Sequence, residues 1–218
     1  KFLSVVFTGR SYKITLRSDQ IRFDGNIELF YLHPNIFKPL NKIEITKLLG
    51  IESEESYIIM RFVSWGAYHD KGLSGFSDEN KLKAVETFSN YAKVFISSEK
   101  PLPVEIGNYE IKIPPEKMHD VLAHATLFFG ESATMASESA VLGTPAIFLN
   151  ENWFGSTDEE KENGLLFSYR ESLEEQDLAI QKGVEVLQHS DFKFIISENR
   201  KKFLKDKIDV TAFLVWFI

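Results

Sequence analysis

Ser132, Thr134 and Glu138 are the residues whose types and spacing best suit a chemical task. They sit in Leu127 to Asn150, LFFGESATMASESAVLGTPAIFLN, which reads strand, tight turn, helix, strand. Hydroxyls at the start of a helix can accept bonds from backbone N–H groups that lack a partner within the helix. That end also carries about half a positive charge, so its N–H groups and hydroxyls suit an anion such as phosphate. Glu138 follows Thr134 by four residues, so both project from one helix face. A carboxylate there can accept two hydrogen bonds from a ribose diol while phosphates sit one turn earlier. The plainer alternative is that Ser132 only caps the helix and Glu138 is a solvated acid. The spacing alone leaves both open.

Other residues offer charge or proton transfer. Arg61 lies inside an apolar run, YIIMRFV. A guanidinium there must be paired or must reach the strand end. It either clamps a phosphate or carboxylate, or pairs with Glu99 or Asp70. His69-Asp70 stands in a glycine-containing loop, where the imidazole is a candidate general base. Ser97-Ser98-Glu99 closes another strand and is a binding candidate. His119 and His124 are five apart and do not share a face as an i,i+4 pair does, so no metal site is expected. No G-x-x-x-x-G-K-[ST], G-x-S-x-G or G-x-G-x-x-G occurs. This argues against P-loop phosphate transfer, serine hydrolysis and NAD binding.

Apolar patterning gives the elements that must position these residues. Leu3 to Thr8 reads as a strand, and Glu44 to Leu49 as a helix closed by Gly50. Tyr57 to Val63 is a buried strand. Ser77 caps a helix with the stripe Leu82, Val85, Phe88 and Ala92. Val94 to Glu99 is the next strand, and Tyr109 to Ile113 a short one. Pro114-Pro115 opens a helix with Met118, Val121, Leu122 and Ala125 on one side. Gly130 lets the backbone turn after Phe129. Gly143 and Pro145 end the helix that carries Glu138. Glu151 to Gly164 reads as a polar, acidic loop and Leu165 to Tyr169 as a strand. Residues 173–189 form an amphipathic helix with Leu178, Val184 and Leu187 inside, and 191–205 and 209–218 form two more helices. Strands alternating with helices predict an α/β, Rossmann-like parallel sheet with helices on both faces. Ligands of such sheets bind beyond the carboxyl ends of the strands, where loops 64–76, 99–103 and 130–134 meet. Residues 1–40 read as the tail of a preceding, mostly absent domain plus a linker, and 41–218 as the main domain.

With 218 residues, 44% apolar and 26% charged, the chain can bury one sizeable core. A net charge of −7 without a basic stripe argues against nucleic acid as a partner. An anionic ligand then needs local help from helix ends. There is no cysteine, so neither disulfides nor thiolate metal sites are possible, which fits a cytoplasmic setting. No apolar run reaches the roughly 20 residues of a membrane span, and KFLSVVFTG lacks the long apolar region and small-residue cleavage site expected of a signal peptide.

SATMASESAVLGTP resembles the turn and helix of the carboxy-terminal domain in GT-B-type enzymes. These include the glycosyltransferase that makes lipid II and the non-hydrolysing UDP-N-acetylglucosamine 2-epimerases. The resemblance implies that Gly130, Ser132, Ala133 and Thr134 hold a diphosphate and that Glu138 holds a ribose. RFVSWGAYHD, FISSE, the His-Asp before Leu127, GESATM and LGTPAI together resemble an archaeal and bacterial family of unknown function placed near those enzymes. Two features depart from the sugar-nucleotide pattern. Ala133-Thr134 replace the usual two glycines, and Glu131 sets a carboxylate beside the presumed diphosphate.

The expectation is therefore the nucleotide-sugar-binding half of a GT-B-like glycosyltransferase. Its substrate would be a nucleotide sugar, UDP-linked, with no separate cofactor, and its partner the preceding domain of the same protein. Arg61, His69 and Asp70 are the catalytic candidates; Ser98 and Glu99 join the turn and Glu138 as binding candidates. A 2-epimerase is the near alternative, and a non-catalytic binding module the distant one.

Overall fold

Near the amino end two short strands, β1 (Val6–Gly9) and β2 (Gln20–Phe23), pair in parallel. A single turn, α1 (Leu29–Leu32), follows and buries Leu29 and Leu32. The computed structural model describes residues 5–64, 75–151 and 155–218. Helix α2 (Lys42–Leu49) is framed by a capping box between Asn41 and Glu44 and by left-handed Gly50.

From Tyr57 onward strands and helices alternate: β3 (Tyr57–Phe62), α3 (Asp78–Ser89), β4 (Lys93–Ser98), α4 (Met118–His124), β5 (Leu127–Gly130), α5 (Ala133–Leu142), β6 (Ala146–Leu149), α6 (Gly155–Glu162), β7 (Leu166–Tyr169) and α7 (Leu173–Gln188). The five strands β3 to β7 form one parallel sheet in the order β4-β3-β5-β6-β7. Their near-continuous apolar sequences fit a sheet covered on both faces. Alternate residues feed two cores. Ile58, Met60, Phe129 and Ile147 pack with Val85 and Phe88 of α3 and Ile180 of α7. Tyr57, Ile59, Phe128 and Phe148 pack with Val121 of α4, Ala136 and Ala140 of α5, and Leu29 and Leu32 of α1. Helices α8 (Phe192–Lys205) and α9 (Val210–Phe217) complete the chain. The α9 rings of Phe213 and Phe217 meet Phe7 of β1 edge-on, with centroids 6.3 and 4.9 Å apart.

Three expectations about elements are overturned. Tyr109 to Ile113 is not a strand: Val104–Tyr109 is a 3-10 turn, and only Glu110 makes a bridge, to Ile96. The acidic stretch after Glu151 contains α6. That helix has no apolar stripe to read, because the residues it buries are Thr157 and Glu160. In α7 the fully buried stripe is Gln176, Ala179, Ile180, Gly183 and Val186; Val184 and Leu187 pack against the core as expected, while Leu178 is exposed. The α7 backbone at Gly183 lies so close to the Phe88 ring that a Cβ there would clash. That close approach centres the buried face on Gly183, which leaves Leu178 outside it.

Candidate active site

The sheet changes winding direction between β3 and β5, the place where ligands of doubly wound sheets bind. Arg61 stands in register with Ser97 of β4 on one side and Gly130 of β5 on the other. Its Nη1 donates to Ser97 Oγ at 2.7 Å and its Nη2 to Glu99 Oε1 at 2.7 Å. The Ser64 N–H donates to Glu99 Oε2 at 3.0 Å. That backbone bond, helped by the Arg61 charge, holds the Glu99 carboxyl below its ordinary range. Arg61 is therefore engaged on two of its nitrogens, while its buried Nε has no partner among the described residues. Ser98 falls on the opposite face from Ser97 by strand alternation, and its hydroxyl accepts from the Lys100 N–H at 3.4 Å. His69 and Asp70 lie outside the described residues.

Gly130 has a different role from the one expected. The described glycines with left-handed backbone are Gly50, Gly75, Gly143 and Gly164. A Cβ at Gly130 would instead strike the Arg61 backbone on the neighbouring strand. Close strand approach, not the turn, requires this glycine.

Ser132 caps α5 and accepts the Met135 N–H at 3.3 Å. Ala133 and Thr134 form the first helical positions, whose N–H groups have no intrahelical acceptor. Thr134 is exposed, so this end of α5 opens outward. Glu131 does not crowd it. Its buried carboxylate turns toward the end of the neighbouring β3 and accepts the N–H of Val63 at 2.8 Å and of Phe76 at 2.6 Å. It closes both ends of the loop after β3 onto β5.

Glu138 is buried rather than solvated. Its Oε1 lies 3.0 Å from His119 Nε2 and accepts the Tyr31 hydroxyl at 2.9 Å. Its Oε2 makes no hydrogen bond among the described residues. The bond to Glu138 raises the His119 pKa above its ordinary value against the opposing effect of burial. Burial, with the Glu138 charge, pushes the Tyr31 phenol upward. Beneath this cluster lie two more buried acids. Ser137 hydrogen-bonds Glu160 Oε1, and the Asn26 side-chain amide lies beside the same carboxyl. Burial, then repulsion from Glu28, raises Glu160 well above the carboxylate range; burial raises Glu28 as well. Glu28 Oε2 and Glu160 Oε2 are buried without partners in the described residues.

Tyr31, Glu28 and Glu160 are absent from the sequence-level candidates. Tyr31 and Glu138 are 107 residues apart, and no spacing rule links them. Among the described residues no group of three or more His, Asp or Glu is arranged to hold a metal ion. No described helix is long and apolar enough to cross a membrane.

No family model and no curated protein matches the chain. Solved structures do. A putative UDP-N-acetylglucosamine 2-epimerase from Listeria monocytogenes superposes with a TM-score of 0.56 at 14% identity, over 82% of this chain and 48% of that one. Another UDP-N-acetylglucosamine 2-epimerase gives 0.54 at 16%, over 84% and 50%. The spinosyn rhamnosyltransferase SpnG, complexed with spinosyn aglycone, gives 0.50 at 12%, over 75% and 46%. The fold is GT-B-like. The chain spans about half the length of these structures, and at such identities the likeness establishes the fold alone.

Proposed function

We propose that this chain is the nucleotide-sugar-binding half of a GT-B-like glycosyltransferase. One observation carries the reading: the amino end of α5 opens at the switch point of the parallel sheet, with Glu131 turned away from it. A diphosphate there meets the N–H groups of Ala133 and Thr134 and the Thr134 hydroxyl. Glu138 Oε2 accepts a ribose hydroxyl one turn further along the helix. The departing diphosphate is stabilised by these fixed dipoles, without a covalent nucleophile from this half. Arg61 stands at the same edge, where Ser97 and Glu99 fix its guanidinium and Glu99 balances its charge. The nucleotide sugar, UDP-linked, is the substrate, and transfer needs an acceptor-binding domain of the same protein. The setting proposed is cytoplasmic.

Thr134→Glu tests the reading. The new carboxylate lies in the first turn of α5, where it favours the helix by about 0.3–1 kcal/mol, yet it faces the bound anion. Calorimetric titration with UDP and UDP-sugars is expected to show binding to the wild-type chain and at least about ten-fold weaker binding to the variant, with no loss of Tm. Equal binding by the two proteins, or none by the folded full-length protein, overturns the proposal. Product analysis on the full-length protein then separates sugar transfer from 2-epimerisation.

A further inference from the structure

His119 is the titratable group this reading leaves unused. It lies in the first turn of α4, and its Nε2 is fixed by Glu138 Oε1 at 3.0 Å. The Tyr31 ring lies beside the imidazole, with centroids 5.5 Å apart and planes at 31°. Phe37 meets it edge-on at 6.2 Å and 83°. Three side chains thus hold the ring, yet 34% of the His119 side chain is exposed. Nδ1 has no hydrogen-bond partner among the described residues. When the ring is charged both nitrogens donate, so Nδ1–H is a free donor on an immobilised cation. Its anchor, Glu138, lies one helical turn, about 6 Å, from Thr134.

We propose that His119 is a ligand-binding residue of this site: its Nδ1–H donates to a phosphate oxygen of the bound nucleotide, and Glu138 and Tyr31 are the positioning residues that hold the ring. The inference rests on the nucleotide reading of α5. The charged surroundings favour the cation. Glu138 faces the ring from α5, with Glu28 behind it. Asp120 adds a weaker pull from α4 itself, with Lys117 at 3.8 Å from its carboxylate. Tyr31 faces from α1 as a neutral phenol, and His124 turns away to the Leu40 carbonyl.

The test is calorimetric titration with UDP-N-acetylglucosamine across a pH series that starts near about 6 and rises until the His119 ring is neutral by NMR; the diphosphate keeps its charge throughout. Affinity is expected to fall about ten-fold as His119 deprotonates, while uridine, which lacks phosphate, shows no such change. His119→Gln binds the UDP-sugar more weakly at the acid end and with a flat profile. Glu138→Gln moves the midpoint to lower pH. NMR titration of the His119 ring gives a second readout: saturating UDP-N-acetylglucosamine raises its midpoint by about one unit. If Glu138→Gln does not fold, the ring titration in the wild-type chain decides alone. Binding with a flat wild-type profile, or with an unmoved ring midpoint, overturns the role of His119 and leaves the nucleotide reading standing. Absence of binding at every pH by the folded chain overturns both.

Discussion

Glu131, Glu138 and Glu160 look alike in the sequence, and their partners give them different work. Glu131 satisfies two loop N–H groups, Glu138 anchors an imidazole and a phenol, and Glu160 is buried beside Glu28 with one oxygen unbonded. The last has a consequence for stability. The folded state holds a proton on Glu160 above the ordinary carboxylate range because burial penalises the anion. Between the unfolded and the raised folded pKa the folded state binds more protons, so stability falls as pH rises. The contribution is intact below the ordinary carboxylate range and is lost as pH passes the raised value. Glu160→Gln removes that loss. It is expected to stabilise the chain at pH 8 by about 1–3 kcal/mol, or roughly 2–4 °C of Tm per kcal/mol. Thermal melts across pH check this. A variant whose melts track the wild type at every pH shows that Glu160 titrates normally.

At the scale of elements, α5 is placed by the strand before it. The β3–β5 pair comes close enough at Arg61 and Gly130 that a side chain on Gly130 has nowhere to go. Backbone atoms of a central strand cannot yield as a flexible side chain can. Gly130→Ala is therefore expected to cost about 1–3 kcal/mol, measurable by denaturant unfolding. It should also weaken nucleotide binding, because α5 begins three residues later. An unperturbed Gly130→Ala would mean that the strands separate freely there. Caps were legible in advance: Ser77, Ser132 and Gly143 do what their residue types suggest. The exposure of Leu178 on α7 and the existence of α6 were not, because one depends on how closely Gly183 meets Phe88 and the other buries polar residues.

The whole molecule shares one core across the boundary that the sequence suggests near residue 40. Leu29 and Leu32 are buried in the same cluster as Ile59, Phe128 and Ala140. Tyr31 holds Glu138 from the same short helix. Leu32→Ala is accordingly expected to cost about 2–5 kcal/mol and to lower one cooperative transition, seen alike by circular dichroism and calorimetry. A separate early transition, with the main melt unchanged, would show that residues 5–40 fold apart. Helix α9 joins this core through Val210 and Phe213, while Trp216 on its other side is 80% exposed.

The sequence by itself determined the α/β alternation, the parallel sheet and most helix ends, the Ser132 cap of α5 among them. Each depends on local chemistry: apolar runs, capping hydroxyls, glycine and proline. The tertiary structure alone decided which carboxylate turns where, that Arg61 is held by Ser97 and Glu99, and that Tyr31 and His119 converge on Glu138. Those outcomes depend on which strands and helices become neighbours. Burial and hydrogen-bond partners are properties of that neighbourhood, and residue spacing along one chain does not contain them.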